Sequence, residues 1–141
     1  MYEFEYAKAN SVDDAVSKLK SADDGKIMAG GMTLIPTLKQ RLAMPSDVID
    51  LAGVDNMADI SVDGSTVTIG AMTRHADVAA SDDVQKAISA LAVLAGGIGD
   101  PAVRHRGTIG GSIANSDPAA DYPAGVLGLN ATVVTNEREI A

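Results

Sequence analysis

The chain of 141 residues contains no cysteine and no tryptophan, a single phenylalanine and three tyrosines. Without thiols it has no disulfide, no thiolate nucleophile and no cysteine-held iron–sulfur cluster of its own. That lack fits a reducing compartment and leads to the expectation of a cytoplasmic protein. So few rings leave little surface for stacking nucleobases. Basic residues are scarce as well, with 11 Lys and Arg against 19 Asp and Glu, a formal charge of −8. A nonspecific nucleic-acid surface needs many cations along the phosphates, and an anionic membrane makes the same demand, so neither is an expected partner. The start, MYEFEYAKAN, has neither the basic head nor the apolar run of a secretory signal. The apolar stretch from Ala87 to Ile98 is too short and too interrupted by glycine to be a transmembrane segment. Neither GxGxxG nor GxxxxGK[ST] occurs, which removes the two commonest nucleotide fingerprints.

What is there reads as an α+β chain, and 46% apolar residues suffice for one core or two closely packed subdomains. Phe4 and Tyr6 fall on one side of a short edge strand, with Glu3 and Glu5 on the other. Ser11 is placed to cap a helix, with Asp14 at the capping-box position and Val12, Ala15, Val16 and Leu19 as its buried stripe. Lys26 to Ala29 reads as a strand that runs into Gly30 and Gly31. A second helix follows, capped by Thr33, with Pro36 in its first turn and Leu34, Ile35, Leu38 and Leu42 facing inward. Val48 to Leu51 closes a parallel βαβαβ unit.

The remainder changes character. Ile60–Val62 and Val67–Ile69 flank Asp63-Gly64-Ser65, a hairpin signal. Thr73 is expected to cap a short helix through Ala79. A longer helix is expected from Asp82, with Val84, Ile88, Leu91 and Ala95 at helical spacing. A glycine-rich segment runs from Gly96 to Gly111, and Pro118 to Leu129 reads as a helix before a strand from Ala131 to Val134. These changes divide the chain into an expected first subdomain, 1–52, and a second of mixed or antiparallel α+β type, 53–141. The closing NEREIA alternates like an unfinished sheet. It suggests the front part of a longer subunit, whose cut face could pair two copies in a nonphysiological homodimer.

Two segments carry candidate chemistry. In AGGMTLIP, Ala29 to Pro36, adjacent glycines let a strand turn sharply and bring amide groups close to an anion, while the helix beginning beside Thr33 adds its positive end. The Thr33 hydroxyl suits either a helix cap or a phosphate. The second segment runs from Gly107 to Pro118, with Thr108, Gly111, Ser112, Asn115 and Ser116 as glycine or short polar groups. It follows the cationic island Arg104-His105-Arg106. Asp117 is placed to cap the helix at Pro118, and Asp121 either accepts sugar-like hydroxyls or stays a surface acid. Both segments also suit tight turns packed between a strand and a helix. Two of them together suggest an extended phosphate-containing ligand held between subdomains. His75 and His105 lack a surrounding ligand set for a metal, and no triad or paired catalytic acid is evident, so no catalytic residue is assigned.

AGGMTLIP and TIGGSIANSDPAADYPA, with IGAMTRHADVA between them and PAVRHRGTIGG as lead-in, closely resemble signatures of the FAD-binding medium subunits of molybdenum hydroxylases. These are the subunits of carbon monoxide dehydrogenase-like and xanthine dehydrogenase-like enzymes, and the resemblance runs along essentially the whole chain. It implies a PCMH-like FAD-binding fold. It also implies FAD contacts from Ala29, Gly30, Gly31, Met32, Thr33 and Leu34 in the first loop. Thr108, Gly111, Ser112, Asn115, Asp117 and Asp121 are the implied contacts in the second, Asp121 on ribityl or ribose hydroxyls. Ser112 stands where the common pattern has Asn, which shortens one contact. The implied role is electron transfer: an iron–sulfur small subunit with [2Fe-2S] clusters would feed the flavin, and a molybdenum-binding large subunit would hold the molybdenum cofactor and oxidise substrate. The isolated chain is expected to be inactive towards substrate. A nonenzymatic fragment or interaction module with vestigial loops is the alternative.

Overall fold

In the computed structural model, which describes residues 1–141, the first unit is built on three strands of four residues each. They are β1 (Glu5–Lys8), β2 (Gly25–Met28) and β3 (Asp47–Asp50). β3 lies between the other two and runs parallel to both, so the parallel βαβαβ expectation stands. Its Val48 and Ile49 are each 1% exposed, as a central strand covered on both faces requires. At the β1 edge the Tyr6 hydroxyl donates to Asp50 Oδ2 at 2.7 Å.

α1 (Val12–Ser21) starts as its capping residues dictate: Ser11 Oγ accepts the Asp14 amide at 3.1 Å. The Asp14 carboxylate bonds back to the Asn10 amide at 3.0 Å and pairs with the Lys18 ammonium one turn on. The return bond of the expected box therefore falls one residue before Ser11. The buried stripe is narrower than expected. Ala15 is buried, but Val12 and Leu19 are 38% and 37% exposed, because strands this short cover only the middle of the helix.

α2 (Leu34–Lys39) is also shorter than expected, and its own C-terminus explains why. Arg41 takes a left-handed conformation, φ 59°; its amide donates to Leu38 O and the Leu42 amide to Thr37 O, both at 3.1 Å. That paired bonding is a Schellman closure. Leu38 stays buried, whereas Leu42, beyond the closure, is 73% exposed rather than inward.

The hairpin forms where expected, from β4 (Ile60–Asp63) and β5 (Thr66–Ile69) around Gly64 and Ser65. α3 (His75–Ala80) follows, but Thr73 does not cap it. The N-cap is Arg74, and the Thr73 hydroxyl is buried without a partner. The single long helix expected from Asp82 is two: α4 (Asp82–Ala87) and α5 (Ser89–Gly97), broken at Ile88 with φ −142° and ψ 67°. The break turns α5 so that Leu91, Ala92 and Ala95 join Val84 and Val78 in one cluster with Ile109 and Tyr122. A separate cluster, Ala9, Ala15 and Ile49, lies under the first sheet. No helix is long and apolar enough to cross a membrane.

The glycine-rich segment is more ordered than a loop. It holds α6 (Pro101–Arg104), capped by Asp100, and α7 (Ile109–Asn115), capped by Thr108. α8 spans Asp121–Gly128, three residues later at its start than expected. The final strand is only β6 (Val133–Val134), paired antiparallel with β7 (Glu139–Ile140) in the alternating tail.

Candidate functional site

The turn after β2 is forced open by Gly31, whose φ of 76° suits glycine and whose added Cβ would meet Ile35 Cδ1 at 2.7 Å. The chain then enters α2 with an unusual surplus of donors. The amides of Ala29, Gly30, Gly31, Met32, Thr33 and Leu34 donate to no backbone or side-chain acceptor of the protein. Thr33 makes no side-chain cap bond either, so its hydroxyl is not committed to the helix. A run of free amides at a glycine turn is the chemistry of an anion nest.

The second segment is the reverse. Gly107 N donates to Val103 O at 2.7 Å, Ile109 N to Thr73 O at 3.0 Å and Gly110 N to Ala71 O at 2.8 Å. Gly111 N is taken by Thr108 Oγ1 at 3.1 Å and Ser112 N by Thr108 O at 3.0 Å. Apart from the Thr108 amide, its early backbone donors are thus spent internally, largely against residues 71–75, where Arg74 and Thr108 form an isolated antiparallel bridge. What it presents outward is side chains. Sequence reasoning treated this as the richer phosphate loop; the bonding pattern makes the first loop the donor-rich one.

Both segments face one cleft of about 770 Å³, within the ~300–1,000 Å³ usual for ligand sites. Every expected residue of the first loop, Ala29 through Leu34, lines it, as do Thr108, Gly111, Ser112, Asn115 and Asp117. Asp121 does not; it is exposed in the first turn of α8, just past cleft-lining Ala120. Asp117 does not cap a helix at Pro118: its Oδ1 accepts the Ala119 amide at 2.9 Å, closing a turn before α8. The two segments touch directly. A Cβ on Gly30 would stand 2.7 Å from the Arg106 carbonyl carbon and 2.9 Å from Gly107 Cα.

The cationic island is not part of the lining. Arg104 Nη1 donates to the carbonyls of Ile98 and Gly99, each at 3.1 Å, and His105 Nδ1 lies 2.7 Å from Pro101 O. Arg106 is exposed beside a neighbouring depression with Arg74 and Asp77. Charge stabilisation in the cleft therefore comes from amides, the α2 end and the lining Lys26, which is paired with Asp24, rather than from these arginines.

Sequence reasoning missed the part of the wall made by Ala71, Met72 and His75. The signal was the IGAMTRHADVA segment, quoted for its resemblance but given no site role. His75 is 5% exposed, and its amide donates to Gly107 O at 3.0 Å. Burial holds its imidazole below its ordinary pKa, with Asp121 opposing. Its ring tilts against Tyr122, centroids 5.2 Å apart, and burial, reinforced by Asp121, pushes the Tyr122 phenol up. Thr73 Oγ1, His75 Nδ1 and Tyr122 OH are buried without an internal hydrogen-bond partner, an arrangement that costs about 1–3 kcal/mol per dry atom. No group of three or more His, Cys, Asp or Glu is gathered to hold a metal ion.

The cleft fits FAD on the structure's own terms: free amides for a pyrophosphate, apolar walls from Met28, Leu51 and Ile98, and short polar side chains opposite. Comparison with known proteins agrees. The family described as the FAD binding domain in molybdopterin dehydrogenase matches residues 2–140. The carbon monoxide dehydrogenase medium chain of Hydrogenophaga pseudoflava is 43% identical over 132 residues, 93% of this chain and 46% of that one. The 6-hydroxypseudooxynicotine dehydrogenase complex subunit alpha of Paenarthrobacter nicotinovorans is 41% identical over 131 residues, 92% of this chain and 44% of the relative. Among solved structures, reconstituted CO dehydrogenase from Oligotropha carboxidovorans superposes with a TM-score of 0.93 at 37% identity, covering 99% of this chain and 50% of the other. The chain spans about half the length of the curated relatives it matches.

Proposed function

Because the chain belongs to the family of FAD-binding domains in molybdopterin dehydrogenases, we propose that it holds FAD in an electron-transfer subunit of a molybdenum-containing oxidoreductase. The observation that carries this reading is the run of internally unbonded amides from Ala29 to Leu34, all six residues of which line the cleft. In it, the first loop receives the pyrophosphate through backbone N–H groups and the Thr33 hydroxyl, with the α2 end adding positive potential. Thr108, Gly111, Ser112, Asn115 and Asp117 form the opposite wall. Asp121, just outside the lining, reaches ribityl or ribose hydroxyls with its carboxylate.

When bound, FAD supplies the redox chemistry, accepting electrons and passing them to an external acceptor. The chain's own residues bind, orient and exclude water; none is assigned a proton or a bond of the substrate. With no cysteine, this chain cannot itself hold a cysteine-ligated cluster. The proposal therefore places the [2Fe-2S] relay on a small partner and substrate oxidation on a molybdenum-binding large partner, in the cytoplasm. The two separate apolar clusters support a division into a first FAD-binding subdomain, 1–52, and a second, 53–141. The test is the flavin content of the natural polypeptide purified under native conditions. Stoichiometric FAD is expected; a flavin-free protein that also fails to take up added FAD would favour an interaction module with vestigial loops.

A further inference from the structure

We infer that His75 is a positioning residue for the cofactor, a neutral wedge that fixes the second glycine segment and the start of α8 relative to each other. The inference rests on the FAD-binding reading above. Three observations meet at this residue. Its amide holds the Gly107 carbonyl at 3.0 Å, so the backbone of α3 carries the entrance to the glycine segment. Its ring edge lies so close to Gly107 that a Cβ there would be 2.5 Å from Nε2 and 2.9 Å from Cδ2; any side chain at Gly107 would displace the imidazole. The other side of the ring rests on Tyr122, the residue after Asp121. One imidazole thus touches the segment that supplies Thr108 and Gly111 and the turn that supplies Asp121, while itself lining the cleft.

A wedge between two walls works only while it keeps one shape and stays uncharged, since a buried imidazolium is costly and the ring makes no hydrogen bond through its Nδ1, with Asp121 close enough only to offset part of that cost. The titratable groups around it are few. Asp121 and Tyr122 face it from α8, and Arg74 and Asp77 belong to its own end of α3. Arg104 and His105 on the lead-in are turned to the carbonyls of Ile98, Gly99 and Pro101. Burial outweighs the attraction of Asp121, so the neutral ring persists below the ordinary histidine range. In acid, the proton enters a site that cannot solvate it, and the two walls part.

The experiment uses the natural polypeptide stripped of flavin and titrated with FAD by fluorescence quenching, at closely spaced pH values from about 5 to 8, alongside thermal unfolding. His75→Ala is expected to weaken FAD binding about tenfold at neutral pH. His75→Asn, which keeps an uncharged polar group, is expected to recover most of it. Wild-type affinity should hold through the ordinary histidine range and fall only at lower pH, because burial depresses the His75 pKa, whereas both variants should lose that acid limb. Gly107→Ala should be less harmful in the His75→Ala background than in the wild type, since the two closest contacts, both imidazole atoms, are gone and only the 3.1 Å approach to Val103 O remains. Unchanged affinity and an unchanged acid limb in His75→Ala would overturn the wedge while leaving the cofactor reading intact. A wild type that binds no FAD at any pH would overturn both.

Discussion

Replacing Gly30 with alanine tests the junction between the two loops with a single methyl group. Gly30 does not sit in the left-handed region, so its backbone tolerates a side chain and the perturbation is purely steric. The new Cβ would lie 2.7 Å from the Arg106 carbonyl carbon, 2.9 Å from Gly107 Cα and closer still to the Arg106 carbonyl oxygen. Carbon–carbon contacts settle near ~3.5–4.0 Å, so the carbon contacts alone demand a retreat of about 0.8 Å, and relieving the nearer carbonyl oxygen demands more. Both partners are backbone, and the Arg106–Gly107 side is tied down by the bonds of Gly107, Ile109 and Gly110. Overpacking of this kind costs about 1–3 kcal/mol. If the retreat widens the cleft, the same energy appears in binding, where ~1.4 kcal/mol is tenfold. The expected result is FAD affinity lower by about tenfold and a melting midpoint lower by several degrees. Flavin titration and calorimetry on the same preparation measure both. Gly128→Ala is the control, because nothing lies within 4 Å of its Cβ and alanine favours a helix. Wild-type affinity and stability in Gly30→Ala, with Gly128→Ala unchanged as well, would refute the claimed contact between the loops.

Ser11→Ala removes the α1 cap to Asp14 and should cost about 1 kcal/mol without changing FAD affinity, as denaturant unfolding and titration would report. Asp121→Asn should lower the flavin retained through gel filtration several-fold while leaving substrate reduction of a partner-held molybdenum centre unaffected; normal retention would remove its proposed hydroxyl contact. The chain supplied with FAD and candidate substrates under anaerobic conditions should give no substrate-dependent flavin reduction, and turnover at the rate of an assembled enzyme would force a search for catalytic residues within it.

Much of the first unit was legible because local signals and packing agree there. Lys26 to Ala29 is a short apolar-rich run that ends on two glycines, and the parallel order follows from strand–helix alternation. Where signals were lost, tertiary context had overridden them. Ile88 breaks the expected long helix although its neighbours keep helical spacing, and only the shared cluster of Val84 and Leu91 gives the break a reason. Thr73 has the residue type of a cap, yet its position beside the Arg74–Thr108 bridge buries it instead. The helical part of the second glycine segment was hidden by its glycines, which lower helix propensity but let Gly110 approach Ala71 and Gly107 approach His75. The site residues clustered largely as expected because both loops carry their own turn chemistry. The allocation of amide donors was not readable, since it depends on which carbonyls from 71–75 come within reach. For the same reason Gly31→Asp and Gly111→Asp, natural choices from sequence, are poor binding probes: their added atoms would collide with Ile35 and Thr108 inside the protein.

The most direct test follows the amide nitrogen and proton resonances of Ala29 through Leu34 while FAD, and separately ADP, is added to the isotope-labelled natural polypeptide. These amides have no acceptor within the protein, so a bound pyrophosphate should shift them strongly and slow their exchange with solvent. The amides of Gly107, Ile109, Gly110 and Gly111, already bonded internally, should move much less. Large changes in the second group with none in the first would contradict the account, because the cofactor would then be held by a loop whose donors are already committed.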